Sequence, residues 1–352
     1  MLPGVCLALV MVGLTAYAVL GSADFGAGFW DLTAGGDRRG GRVRGMIQRS
    51  MAPVWEANHV WLIFVLVVVW TAFPVAFGSI FSTLAVPLFL AALGIIFRGA
   101  AFALRGQAAT IREARTLGAL FASASVLIPF CLGAAIGGIA SGRVPVGNAA
   151  GDPWSSWLNP TSVLIGAIGV VTGAHLSAVF LAGDSRRAGL EDLVAAFRAR
   201  ALGSGVLAGV LALAGLLVVR SDARELFDGL TSGAGLACVL VSGAAGVGTL
   251  ALVAAGRHEP ARYVAALSVA AIVAGWAFAQ SPHVLPPDLT LDEAAAPDAT
   301  LAAVLAGLWV GALILVPSLV LLYRLVLRGV LDQRFEPLDQ RFTPLDREER
   351  RP

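Results

Sequence analysis

The sequence predicts an all-α, polytopic membrane protein with nine transmembrane helices. Three observations predict it. The 352-residue chain is 57% hydrophobic and only 14% charged, with a mean hydropathy of +0.80, so hydrocarbon takes the place of a water-excluding core as organising solvent. Apolar stretches able to span about 30 Å at 1.5 Å per residue recur along the whole chain. The 25 basic residues are all arginine, and they fall almost entirely in alternate connections.

The spans lie near residues 4–30, 52–76, 79–103, 117–140, 160–183, 201–220, 229–255, 262–281 and 300–327. The first lacks the basic leading region and cleavage site of a secretory signal, so it is expected to remain as a helix. Arg38, Arg39, Arg42, Arg44 and Arg49 follow it; Arg105, Arg112 and Arg115 follow the third span. Arg186, Arg187, Arg198 and Arg200 follow the fifth, Arg257 and Arg262 the seventh, and seven more lie from Arg324 onward. The opposite side has only Arg143, Arg220 and Arg224, with Arg98 left inside a span. Because arginine is retained on the cytoplasmic side, this alternation predicts an outside N-terminus and a cytoplasmic C-terminus.

Residues 1–328 read as a single integral membrane domain, and 329–352 as a cytoplasmic tail. That tail repeats LDQRFEP as LDQRFTP, and Pro337 and Pro344 forbid a continuous coiled coil, so it is expected to be disordered. The connection after the eighth span carries Asp288, Asp292, Glu293 and Asp298 among several prolines, which predicts an irregular cap on the outer face. Spans one to four and five to eight each place an arginine-rich connection after their first helix, the pattern of a parallel repeat about the membrane normal.

Several function classes are excluded. A net charge of +2 divided between two membrane faces gives nucleic acid nothing to bind. There is no P-loop, no H-E-x-x-H, no G-x-S-x-G and no dinucleotide fingerprint. Cys6, Cys131 and Cys238 lie in apolar spans without C-x-x-C spacing and read as packing residues. GSADFGAG is glycine-rich but sits within a span, where small residues serve close helix packing.

What remains is a set of polar groups inside apolar helices. Such groups cost several kcal/mol unless paired or hydrated, which marks them as candidate functional residues. Glu56 and His59 are three residues apart and Trp55 adjoins His59 at four, while Asn58 follows Trp55 by three. Counted from a hairpin near Phe77 to Ser79, Glu56, His59 and Arg98 fall within about 5 Å of one depth, on the arginine-rich side. Asp24 and Asp31 of the first span descend to that side, and His175 of the fifth lies at a similar level. Three meanings are open: an ion pair of Glu56 or Asp24 with Arg98 that fixes packing, a proton-uptake path starting at Glu56, or haem ligation by His59 or His175.

Taken together, ADFGAGFWDL, PVWEANHVWLIFV followed by TAFP, FRGAAFALR, NPTSVLIG, GWAFAQSPHVLP and PSLVLLY resemble subunit II of the cytochrome bd quinol oxidases. These motifs occur in order over nearly all of residues 15 to 325. The resemblance implies two four-helix bundles plus one peripheral helix, in a bacterial cytoplasmic membrane. It also implies pairing with a similarly folded subunit I that binds two b-type haems and one d-type haem, with quinol as substrate and possible small accessory subunits. This chain would hold no haem or metal of its own. It would provide scaffold and an acidic residue at a cytoplasmic proton path, at the position of Glu56, with Asp24, His59 and Asn58 along the path and Trp55, Arg98 and Asp31 in support. Two rivals stay open: a secondary transporter of a small solute with a charged coupling site, and a purely structural assembly subunit.

Overall fold

A computed structural model describes residues 1–35, 37–51, 55–105, 107–108 and 110–328. Among these residues, nine helices are long and apolar enough to cross a membrane. The expected tail, 329–352, lies outside the described residues.

The first span, Leu2–Leu32, is α1 (Leu2–Ala16), a π-helical turn (Tyr17–Gly21) and α2 (Ser22–Leu32). The sequence predicts one uninterrupted helix there; the π-turn is the difference, and such turns change the phase of the side chains that follow. The arginine-rich connection after it is also helical, as α3 (Asp37–Met51). Val43, Met46, Ile47 and Met51 recur at helical spacing and are buried against Leu193, Phe197 and Phe121, so α3 lies on the bundle by its apolar face.

The second and third spans are α4 (Trp55–Ala72) and α6 (Ala85–Arg105), joined by a short helix α5 (Pro74–Thr83). The hairpin expected near Phe77–Ser79 is therefore replaced by a helical connection. Pro74 explains the break: it has no N–H to continue α4 and it drives Phe73 out of helical geometry, to φ −136° and ψ 60°. The fourth and fifth spans are α7 (Ile111–Ala140) and α8 (Pro160–Arg187). Thr110 and Glu113 close a capping box on α7, and Asn159 caps α8 ahead of Pro160.

The sixth span, α9 (Glu191–Asp222), starts ten residues earlier than its predicted limit, so Arg198 and Arg200 sit on a helix rather than in a loop. A short α10 (Arg224–Leu230) leads to α11 (Gly233–Ala254) and α12 (His258–Gln280). The acidic connection then forms an antiparallel pair, β1 (His283–Leu285) and β2 (Leu289–Thr290), and a helical turn α13 (Leu291–Ala294). It is more ordered than the irregular cap predicted, because Leu285, Leu289 and Ala294 plug into an apolar cluster with Cys6, Val68 and Phe73.

In the packing of the spans, α2 runs between α7 and α8. Gly26 makes that approach possible: a Cβ there would lie 1.8 Å from the Gly173 carbonyl oxygen. The last span, α14 (Asp298–Leu327), packs chiefly on α1 and α4 and leaves Trp309, Leu313 and Ile314 more than two-thirds exposed.

Candidate functional site

Asp24 is on α2 eight residues before Leu32, which is about 12 Å of helix rise from that helix end. Its side chain is buried. The Asn58 amide reaches it from α4, with Nδ2 donating to Asp24 Oδ2 at 2.7 Å and lying 3.4 Å from the Leu20 carbonyl in the π-turn. On the far side of Asn58, the Tyr323 hydroxyl of α14 donates to Oδ1 at 3.1 Å. One amide therefore links the first, second and ninth spans.

Arg98 enters from α6 and is the largest fully buried side chain, 1% exposed. It forms no ion pair with the Asp24 carboxylate. Its Nη2 donates to the Asp24 backbone carbonyl at 3.0 Å and its Nε to Ser125 Oγ at 3.0 Å. The guanidinium also lies over Phe25 at 5.1 Å and Phe121 at 4.9 Å. Desolvated cation–π contacts are worth up to about 2 kcal/mol each, so a charge costly in lipid is held by a carbonyl, a hydroxyl and two rings. Gly28 gives Ser125 its place, since a Cβ there would lie 2.1 Å from the Ser125 hydroxyl.

His59 is half-buried. Its ring is 6.0 Å from that of Phe25, and its Nδ1 is 3.5 Å from the Tyr17 hydroxyl. His59 and Arg98 thus face the same Phe25 ring, while the hairpin from which the sequence count set Glu56, His59 and Arg98 at one depth is replaced by α5. Trp55 packs edge-on to His59, with ring centroids 6.4 Å apart, and leans on Phe102. Glu56 stands apart: it is exposed on the first turn of α4 and forms no hydrogen bond or ion pair among the described residues.

Asp31 belongs to a second group nearer the arginine-rich end, paired with Arg105 at 2.9 Å and Arg44 at 3.3 Å. His175 is engaged elsewhere, its Nδ1 donating to the Ala201 carbonyl of α9 at 2.9 Å. Tyr17, Ser125 and Tyr323 are members that sequence reasoning missed. A signal existed for the tyrosines: the chain has only three, and two of them turn to this site.

Among the described residues, no group of three or more His, Cys, Asp or Glu side chains could hold a metal ion. What the site offers instead is a buried carboxylate held by a neutral amide, with a buried cation nearby and an exposed carboxylate at the adjoining helix end.

A family model described as cytochrome bd terminal oxidase subunit II matches residues 2–326. A Bacillus subtilis (strain 168) protein with the provisional name cytochrome bd menaquinol oxidase subunit II is 23% identical over 330 residues, spanning 91% of this chain and 93% of that protein. The cytochrome bd ubiquinol oxidase subunit 2 of the same organism is 28% identical over 125 residues, 36% of each chain. In the solved structure of bd oxidase from Geobacillus thermodenitrificans, one chain is 24% identical, with a TM-score of 0.71 over 93% of this chain and 99% of that one; this likeness supports the fold. With the family match running through all nine spans, the chain belongs to the cytochrome bd terminal oxidase subunit II family.

Proposed function

We propose that this chain is the haem-free subunit of a quinol oxidase that reduces oxygen to water, and that it supplies a proton-uptake path from the cytoplasm. Subunit I would carry two b-type haems and one d-type haem and be the main partner within the bilayer, with small accessory membrane subunits besides. The bacterial cytoplasmic membrane is the proposed location, with the arginine-rich end inside, in line with arginine retention on that face. The exposed outer length of α14 supports its reading as a peripheral ninth helix beside two four-helix bundles. Family membership gives the oxidase reading its weight over the solute-transporter alternative.

The single observation that carries the proton path is the way Asp24 is held. Its carboxylate accepts from the Asn58 amide, while Arg98 is occupied by the Asp24 backbone and Ser125. A carboxylate clamped by arginine stays ionised; one held by an amide can take up and release a proton. Glu56, exposed at the first turn of α4, would collect protons from water. Asp24 would hold the proton in transit, with Asn58 fixing the receiving carboxylate and Arg98 and His59 shaping the field around it. The haems supply the redox chemistry in the partner; these residues only bind, orient and move protons.

The test is Glu56→Gln in the assembled complex. Haem content is expected to be normal and quinol oxidase turnover strongly reduced. Wild-type turnover with normal haem would remove Glu56 from the path, and loss of haem would favour the packing role.

A further inference from the structure

The ninth helix is the least embedded of the spans, yet it sends one hydroxyl into the buried site. We infer that Tyr323 is a positioning residue that sets the orientation of the Asn58 amide and, through it, the donor presented to Asp24. This inference rests on the proton-path reading and deepens it.

An ionised carboxylate only accepts, so Asn58 must present its NH2 group to Asp24, as the 2.7 Å contact shows. That choice leaves Oδ1 facing the other way, where it needs a donor. The Tyr323 hydroxyl, 3.1 Å away, is that donor. The sequence Tyr323 O–H to Asn58 Oδ1, then Asn58 Nδ2–H to Asp24 Oδ2, is therefore directional. Each bond fixes the polarity of the next.

An asparagine side chain turns readily about its last torsion, whose preferences are broad. Without the phenol, Oδ1 has no partner in an apolar setting, and the amide is free to turn toward other donors or to lean on the Leu20 carbonyl, which its Nδ2 already approaches. Asp24 then loses a fixed donor. The ring of Tyr323 is not needed for this effect, so removing only the hydroxyl isolates it.

The experiment uses the complete oxidase complex carrying Tyr323→Phe, Asn58→Leu, both together, or Asp24→Asn, with haem content and quinol kinetics measured for each. Tyr323→Phe is expected to keep haem content and the KM for quinol while lowering kcat about five-fold, the loss that corresponds to one net hydrogen bond. Asn58→Leu should lower kcat further, and adding Tyr323→Phe to it should change nothing, because a residue acting through Asn58 has no effect once Asn58 is gone. Wild-type kcat for Tyr323→Phe alongside a low kcat for Asp24→Asn would overturn the role of Tyr323 and leave the proton path standing. Additive losses in the double variant, or a fall in haem content with Tyr323→Phe, would overturn it in favour of simple packing. Wild-type kcat in all four variants would remove the proton path together with the inference.

Discussion

Asp24 and Asp222 are both carboxylates of membrane-spanning helices, one buried about 12 Å from the end of the first span and the other in the last turn of α9, and their surroundings differ in kind. Asp222, in the last turn of α9, takes the Arg143 guanidinium at 2.6 Å and the Thr161 hydroxyl and N–H at 2.5 and 3.1 Å. It pins the loop after α7 and the start of α8 to the end of α9, and every contact favours one permanent, ionised arrangement. Asp24 has a nearby arginine too, but that arginine is spent on a backbone carbonyl and a serine. The lesson is that a buried charge pair need not neutralise itself. Here the cation is satisfied by the frame, and the carboxylate is left to a neutral, orientable amide.

Neutralising each acid in turn separates the two. Asp24→Asn should cut turnover on the order of 100-fold, the scale of a lost general acid–base group, with haem content retained; Asp222→Asn should leave the turnover of whatever complex assembles unchanged. Comparable losses of turnover per haem in both variants would mean that the two carboxylates do not differ in role. Next is Arg98→Met, which strips the Asp24 carbonyl and Ser125 of their buried donor. It should destabilise the complex by about 1.5–3 kcal/mol for each charged hydrogen bond lost, read in thermal melts, whereas a melt like that of wild type would mean that these bonds add nothing to the fold.

For Asp222→Asn the expected loss is in stability. Weakening its charged hydrogen bonds should cost about 1.5–3 kcal/mol, read as a lower melting temperature with faster amide exchange at Thr161. The smallest effect concerns Asp152, in the loop that Arg143 helps to anchor. Its carboxylate accepts from the Trp154 and Ser155 N–H groups and the Ser155 hydroxyl, and these bonds hold it below the ordinary carboxylate range. Loop order from this group is thus complete above pH of about 4 and fades as the pH falls through the lowered value. Protection from exchange over residues 147–158, taken relative to the intrinsic rate at each pH, should fall at low pH in wild type, and Asp152→Asn should remove much of that pH dependence.

Parts of this site were legible because polar side chains stand out in apolar spans. Asp24, Asn58, His59 and Arg98 are conspicuous for that reason, and a shared rise per residue set Glu56, His59 and Arg98 at one depth. Ser125 was not legible: its hydroxyl bonds the Phe121 carbonyl within its own helix at 2.7 Å, and a serine so satisfied costs little anywhere in a span. Tyr323 was hidden for another reason, since tyrosine is common near the ends of membrane helices without any partner inside. The π-turn at Tyr17–Gly21 and the seating of α3 depend on neighbouring helices, and an arginine-rich stretch reads as a loop until its apolar face meets a partner.

Membrane class, nine spans and the arginine-rich end can be read along the chain because hydropathy, length and charge placement sum over it, and the family from motifs that keep their order. Which groups touch is set by how the helices pack. Asp24 could have paired with Arg98, and Glu56 could have joined them. Gly26 against Gly173, the π-turn and the seating of α14 instead gave Arg98 to the Asp24 backbone, Asn58 to the Asp24 carboxylate and Tyr323 to Asn58, and left Glu56 exposed. Hydrogen-bond partners depend on distances of a few tenths of an ångström between helices, and no spacing along one chain fixes those.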